Sequence, residues 1–164
     1  MDDQSLTEIL CSLEGRQLWL KPVGEPGQPV GEGERYDGAS LRIDFARQPA
    51  AVAAGDLLLV YRVGLGKLAT VAECLEPPAE AGAEEQRREP GRERWRWSVR
   101  CRNRSPEYAA RWLEHDLRPF ELARAYGELQ PNDRPRLGAI NFGSDKLRLS
   151  LGFGAWLLHQ IIAL

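Results

Sequence analysis

Arginine recurs at positions 92, 94, 96, 100, 102 and 104, with Trp95 and Trp97 among them and only Ser98 breaking the even-numbered run. In an extended strand, odd and even positions face opposite ways. That parity predicts Trp95, Trp97, Val99 and Cys101 on one face as core, with the arginines on the other. The guanidinium groups would then stand in a row, about 6.5–7 Å apart, twice the strand rise. Such a row suits two chemistries. It can hold the phosphates of a nucleic acid, or it can be neutralised by carboxylates from elsewhere in the chain, the remainder being solvated. Arg94, Arg96, Arg100, Arg102 and Arg104 are the candidate backbone contacts. The tryptophans would stack on bases only if one lay at the open end of the strand.

Other chemistry is poorly supported. Gly64-Leu65-Gly66-Lys67-Leu68-Ala69 is a partial dinucleotide fingerprint. A full dinucleotide fold, however, needs further alternating strand–helix units, which the sequence lacks. A glycine turn in a hairpin is the favoured reading. His115 and His159 sit in helical patterns without a nearby Cys or second His at ligand spacing, so no metal site is expected. Ser98, Ser105, Ser144 and Ser150 lack a nucleophile-elbow context. No catalytic constellation emerges, and the expectation is a non-enzymatic protein without a cofactor.

The elements that must position the arginines follow from pattern. The chain has 164 residues, 43% hydrophobic and 28% charged, enough for one domain over 1–164 with a real core. Its charge is asymmetric: residues 1–86 hold 7 Lys+Arg against 15 Asp+Glu, and residues 87–164 hold 15 against 9. This licenses a local basic surface. Arginine outnumbers lysine by 19 to 3, which favours bidentate pairing with either carboxylate or phosphate. Three widely spaced cysteines, Cys11, Cys74 and Cys101, read as reduced, mostly buried thiols in a cytoplasmic protein. Asp2 and Asp3 carry the wrong charge for a signal peptide, and no apolar run is long enough for a membrane helix.

Leu6, Ile9, Leu10 and Leu13 predict a short amphipathic helix capped by Ser5 with Glu8. Strands are expected at "RQLWLKPV", at 41–47 by alternation, at "LLLVYRV" as a continuous apolar run, and at "LATVAECLEPP" as its return, ended by Pro77 and Pro78. Residues 77–92, rich in Pro, Ala, Glu and Arg, read as a solvated, mobile loop. Tyr108 to Leu129 reads as helix broken near Pro119, "QPNDRPR" as loop, "LGAINFG" as a short strand, and a last helix starts near Leu151. Strands joined mainly by short connections, with helices at the ends, give an α+β domain.

Two stretches carry a resemblance. Glu34 to Pro78 is similar to the central segment of EVE domains, in the PUA-like superfamily. Arg35-Tyr36-Asp37-Gly38 resembles that family's R-W-D-G, Gly55-Asp56 with Tyr61 resembles its strand motif, and Ala72-Glu73 its return strand. "LWLKP" at 18–22, "RWRWSVR" and "LRLS" resemble its opening strand, a later strand and its ending. The resemblance implies a small β-barrel of about five or six strands with peripheral helices. It also implies a module that binds RNA or DNA and reads a modified or unpaired base in an aromatic pocket. Trp19, Lys21, Tyr36 and Asp37 would be the pocket residues. A plain core role for Trp19 is the favoured alternative. The pattern departs after Gly38, where Ala39, Ser40 and Leu41 replace polar residues with an Asn, removing a base-edge contact. The rival expectation is a small-molecule or protein-interaction domain on the same barrel, with its arginines solvated or neutralised.

Overall fold

A computed structural model describes residues 5–25, 27–127 and 146–164. Seven strands form one sheet: β1 (Leu18–Val23), β2 (Ser40–Phe45), β3 (Leu57–Arg62), β4 (Lys67–Cys74), β5 (Ala79–Glu80), β6 (Trp97–Asn103) and β7 (Leu147–Leu149). Their order is β2-β6-β4-β3-β1-β7, with β5 pairing β6. β1 and β3 run parallel, Leu18 opposite Leu57 and Val23 opposite Arg62. The other pairs are antiparallel.

All six residues of β3 are buried, as its uninterrupted apolar run requires of a strand covered on both faces. The glycine-rich segment after it closes the β3–β4 hairpin. Gly64 and Gly66 take φ of +94° and +71°, and Leu68 pairs with Tyr61. The pairing resolves this segment as a turn between two strands, leaving no helix after it to receive a phosphate.

Helices cover one face. Ser5 and Glu8 form a reciprocal capping box on α1 (Leu6–Leu10). Helices α2 (Ala83–Arg88), α3 (Pro106–Ala110) and α4 (Pro119–Tyr126) precede α5 (Leu151–Ile162), which begins where the Ser150 hydroxyl accepts from Phe153 N at 3.2 Å. Phe153, Leu157, Leu158 and Ile161 are its buried residues. Gly154 lets it approach β1 so closely that a Cβ there would collide with Leu18 Cδ2. The fully buried Leu18, Leu57 and Leu157 each contribute about 1.5–3 kcal/mol of transfer free energy.

The opposite face is rolled. Lys21 Nζ on β1 lies 4.7 Å from the ring centroid of Phe45 on β2, although three strands separate β1 from β2 in the sheet. The α+β class is as expected. Closure into a barrel is not: β7 pairs only Leu18–Leu20 of β1, and β2 and β7 remain the two ends of an open sheet.

The 77–92 segment also departs from expectation. It contains β5 and a helix, α2 (Ala83–Arg88), with no buried side chain on that helix. Most of the segment is exposed, as its composition predicts, with Ala81 and Arg92 buried. Glu84 and Glu85 in the first turn and Arg87 and Arg88 in the last complement the helix dipole. The predicted break at Pro119 separates α3 (Pro106–Ala110) and a 3₁₀ turn (Trp112–Glu114) from α4 (Pro119–Tyr126), which ends on left-handed Gly127. The expected loop at 130–136 and strand at 137–143 lie outside the described residues.

Candidate functional site

The first four expected pocket residues divide into two pairs with different neighbours. Trp19 and Lys21 are buried on the rolled face of β1. The Trp19 indole N–H donates to Asp56 Oδ2 at 3.1 Å. Asp56 also accepts from Gln17 N, Gln17 Nε2 and Ala53 N, so this carboxylate fixes the start of β1 against the start of β3. Trp19 thus has the core environment of the alternative reading. Lys146 Nζ sits 4.8 Å from its ring centroid.

Tyr36 and Asp37 lie on the segment before β2. Asn103 holds that segment: its Nδ2 donates to Tyr36 O at 2.7 Å and Gly38 O at 2.9 Å. Its Oδ1 accepts from Thr70 Oγ1 and Ser105 N. The Tyr36 ring packs edge-on to Trp112, and its hydroxyl donates to Glu34 Oε1 at 2.8 Å. Glu34 in turn accepts from Arg62 Nε at 2.7 Å. Burial raises the Glu34 carboxyl, but the bonds from Arg62 and Tyr36 outweigh it and hold the group below its usual range. Arg62 is fully buried and also donates to Gln28 O, Pro29 O and Val63 O. Gly24, at φ +80°, lies directly against this guanidinium, and any Cβ there would collide with it. Arg35 and Asp37 form a surface ion pair at 2.9 Å.

The arginine row does not form as parity alone predicts. β6 begins at Trp97, after a turn over 91–95 in which Arg94 N and Trp95 N both donate to Gly91 O. Arg92 is buried inside this turn. Its guanidinium donates to Asp44 Oδ1, Trp95 O and Ser98 Oγ at 3.1, 2.8 and 3.0 Å. A salt-bridged arginine that belongs to the core by burial therefore sets where Trp95 stands.

From Trp97 onward the alternation holds. Trp97, Val99 and Cys101 face Phe45, Ile43 and Leu41 on the rolled side, and Ser98, Arg100 and Arg102 face Asp44, Arg42 and Ser40 outside. The outer arginines have carboxylate neighbours from earlier in the chain. Arg100, with its side chain 73% exposed, binds Glu76 through Nε at 3.0 Å and Nη2 at 3.2 Å. Arg104, with its side chain only 5% exposed, binds Glu73 at 2.8 Å, and Arg16 binds the other oxygen of Glu73 at 2.5 Å. Arg42, directly opposite Arg100, is shared between Asp44 and Glu89. Arg102 is half-buried.

The amino-terminal end of the run is arranged differently. Trp95 is half-buried. Arg94 Cζ lies 5.3 Å from its ring centroid and Lys21 Nζ 5.9 Å. The same Lys21 covers Phe45. Arg94 is mostly exposed, with one ion pair to Glu25 at 3.3 Å. Arg96 and Arg47 are exposed and form no ion pair among the described residues. Trp95 and Arg94 thus form the open part of a mouth, with the buried Lys21 and Phe45 beneath it. Parity placed Trp95 in the core beside Trp97. The Gly91 turn, signalled only by Pro90-Gly91, brings it out instead.

Among the described residues, no group of three or more His, Cys, Asp or Glu is disposed to hold a metal ion, and no helix is long and apolar enough to cross a membrane. His115 stacks on Tyr108 with centroids 5.4 Å apart. His159 stands in the last turn of α5. A concavity of about 590 Å³ lies between the start of α1, the end of α5 and the Asn103–Arg111 segment, and none of Lys21, Phe45, Arg94 and Trp95 lines it. No protein-family model matches the chain, and neither does any curated protein or solved structure.

Proposed function

We propose that the chain is a non-enzymatic nucleic-acid-binding module of the PUA-like, EVE-like kind, and that it takes an unpaired or modified base of RNA or DNA at the mouth formed by Lys21, Phe45, Trp95 and Arg94. The observation that carries this reading is Trp95, a partly exposed indole with the exposed Arg94 guanidinium 5.3 Å from its ring centroid. An aromatic face offers stacking to any unpaired base, worth about 1–3 kcal/mol per base, while the exposed Arg94 and Arg96 meet the adjoining phosphates. Duplex stacking keeps bases from such a surface, so single strands and flipped bases are the suitable ligands. The rolled sheet supports a PUA-like barrel relationship, with β2 and β7 as its unpaired margins. In this reading Trp19 is the inner wall of the pocket, and Tyr36 and Asp37 order the loop beside β2.

The test is a tryptophan-fluorescence titration with mixed-sequence single- and double-stranded RNA and DNA at two salt concentrations, for the parent protein and Trp95→Ala. Binding that favours single strands, weakens with salt and is lost in Trp95→Ala supports the proposal. Absence of binding at low salt, or binding indifferent to Trp95, rejects it.

A specific observation favours a second reading, a protein- or small-molecule-binding domain. Arg92, Arg100 and Arg104 are each neutralised by carboxylates from residues 44–89. If nucleic acid fails to bind in the titration, this reading takes precedence.

A further inference from the structure

Cys74 and Cys101 face each other directly across the β4–β6 ladder. The neighbouring bonds define the type of pair. Leu75 N donates to Arg100 O at 2.9 Å and Arg104 N donates to Val71 O at 2.8 Å, so even-numbered residues of β6 carry the bonds to β4. Cys101 therefore occupies a non-hydrogen-bonded position. At such positions opposing Cα atoms lie about 4.5 Å apart and the side chains are closest. Disulfides span Cα separations of about 4.4–6.8 Å. Both thiols are buried on the same rolled face. The neighbouring Cys101 thiol, together with burial, pushes the Cys74 thiol above its usual range, so the thiolate forms when the pair opens.

Access requires local opening at the end of β4, where the Cys74 backbone is bonded to Asp56 and Gly55. Cys74 is the last residue of β4, and the adjacent Leu75 is 45% exposed. Strand ends open at less free energy than the whole fold.

We propose that Cys74 and Cys101 form a built-in modification site, a dithiol that exchanges with a small disulfide such as oxidised glutathione to give a cross-strand disulfide. One cysteine thiolate attacks the small disulfide, forming a mixed disulfide and releasing one small thiol. The second thiolate then attacks the protein sulfur of that mixed bond and releases the second small thiol. The two protons lost by the cysteines end on the released thiols. The pair is oxidised by two electrons, and the small disulfide is reduced by the same two. The new bond fastens β6 to the β3–β4 hairpin covalently. Cys11, exposed at the end of α1, stands outside the pair.

The whole chain is equilibrated in glutathione buffers of graded ratio, denatured under alkylating conditions, and mapped by peptide mass. The expected result is a monomer in which the three free thiols fall to one. Its mass decreases by two hydrogen atoms, and a Cys74–Cys101 cross-linked peptide is recovered. The thermal midpoint of the oxidised form rises. Cys11→Ser retains the mass loss, whereas Cys74→Ser and Cys101→Ser abolish it. Three alkylatable thiols at the most oxidising ratio overturn the proposal. So does glutathione left on Cys74 or Cys101 without closure, or oxidation confined to Cys11. The parent and Cys11→Ser proteins decide the matter even if a core serine variant fails to fold.

Discussion

The two ends of the arginine run do different things with the same residue type. At the carboxyl end, Arg104 is buried against Glu73 and Arg100 is clasped by Glu76. At the amino end, Arg94 and Arg96 are exposed beside Trp95. Of these two, Arg94 alone has a carboxylate partner among the described residues, the exposed Glu25, while Arg92 just before them is buried against Asp44. A guanidinium in a carboxylate fork braces the fold, while one standing over an indole is available to a ligand. The difference shows that a basic run in sequence is not a basic surface. Which arginines remain available is decided by acids far away in the chain.

Removing the central acid of the braced end gives the largest expected effect. Glu73 joins Arg16 and Arg104, and Glu73→Ala takes the carboxylate out of a buried ion pair. The expected loss is about 3–5 kcal/mol of unfolding free energy, read from urea denaturation. The same group predicts a pH dependence. Burial raises its carboxyl, but hydrogen bonds from Arg104 and Arg16 prevail and hold it below the ordinary 4.5. A carboxyl depressed in the folded state contributes stability that is complete above its unfolded value. That contribution disappears as pH falls through the folded value. Unfolding free energy is therefore expected to decline below pH 4.5, and Glu73→Gln is expected to flatten that decline. An unchanged slope in the glutamine variant would assign acid sensitivity to other groups, of which Glu34 is the next candidate.

At the open end, Trp95→Ala is expected to weaken single-strand binding about 5- to 150-fold, the equivalent of about 1–3 kcal/mol for one stacked base. Trp95→Phe is expected to keep part of the affinity, because the ring face remains. A smaller effect is expected of Arg94→Ala combined with Arg96→Ala. If each meets one phosphate of a single strand, the slope of log affinity against log salt flattens by about 0.7 per arginine. Glu25→Gln sharpens the contrast: freeing Arg94 from its one ion pair is expected to raise affinity at low salt. A decrease would place Glu25 in ligand binding and remove Arg94 from the phosphate path.

Much of the scaffold under this comparison was legible in local pattern. Alternation at 41–45 gave β2, the apolar run gave β3, and glycines 64 and 66 gave the hairpin. Parity also gave the two faces of β6 correctly from Trp97 to Cys101. It failed at 92–96 because a two-residue period carries no information once a turn intervenes. The turn here is held by one buried arginine bonded to Asp44 on another strand. The Glu73 clasp brings together residues 16, 73 and 104, a tertiary coincidence with no local signature. Asn103 was illegible for the same reason. In sequence it is one polar residue among arginines, whereas in the fold its amide makes four bonds that tie β4, Ser105 and the Tyr36 segment together. Trp19 was legible only as a choice between core and pocket. The position of Asp56 decides where its indole hydrogen goes.

The smallest expected effect tests whether the boundary between the two ends is real. Arg100 is exposed and bound in both directions to an exposed partner, an arrangement that solvent and salt screen heavily. Arg100→Ala should leave the thermal midpoint within the scatter of the parent protein and leave the salt slope unaltered. The informative companion is Glu76→Ala. It removes the acid and leaves Arg100 on the outer face of β6, opposite Arg42. If the ligand strand runs only across the mouth, the freed guanidinium meets no phosphate and binding is unchanged. A steeper salt slope in Glu76→Ala, abolished again by adding Arg100→Ala, would mean that the strand continues along β6. The ion pair would then act as a competitor of the ligand rather than as a brace, and the boundary would move from Trp95 toward the buried Arg104.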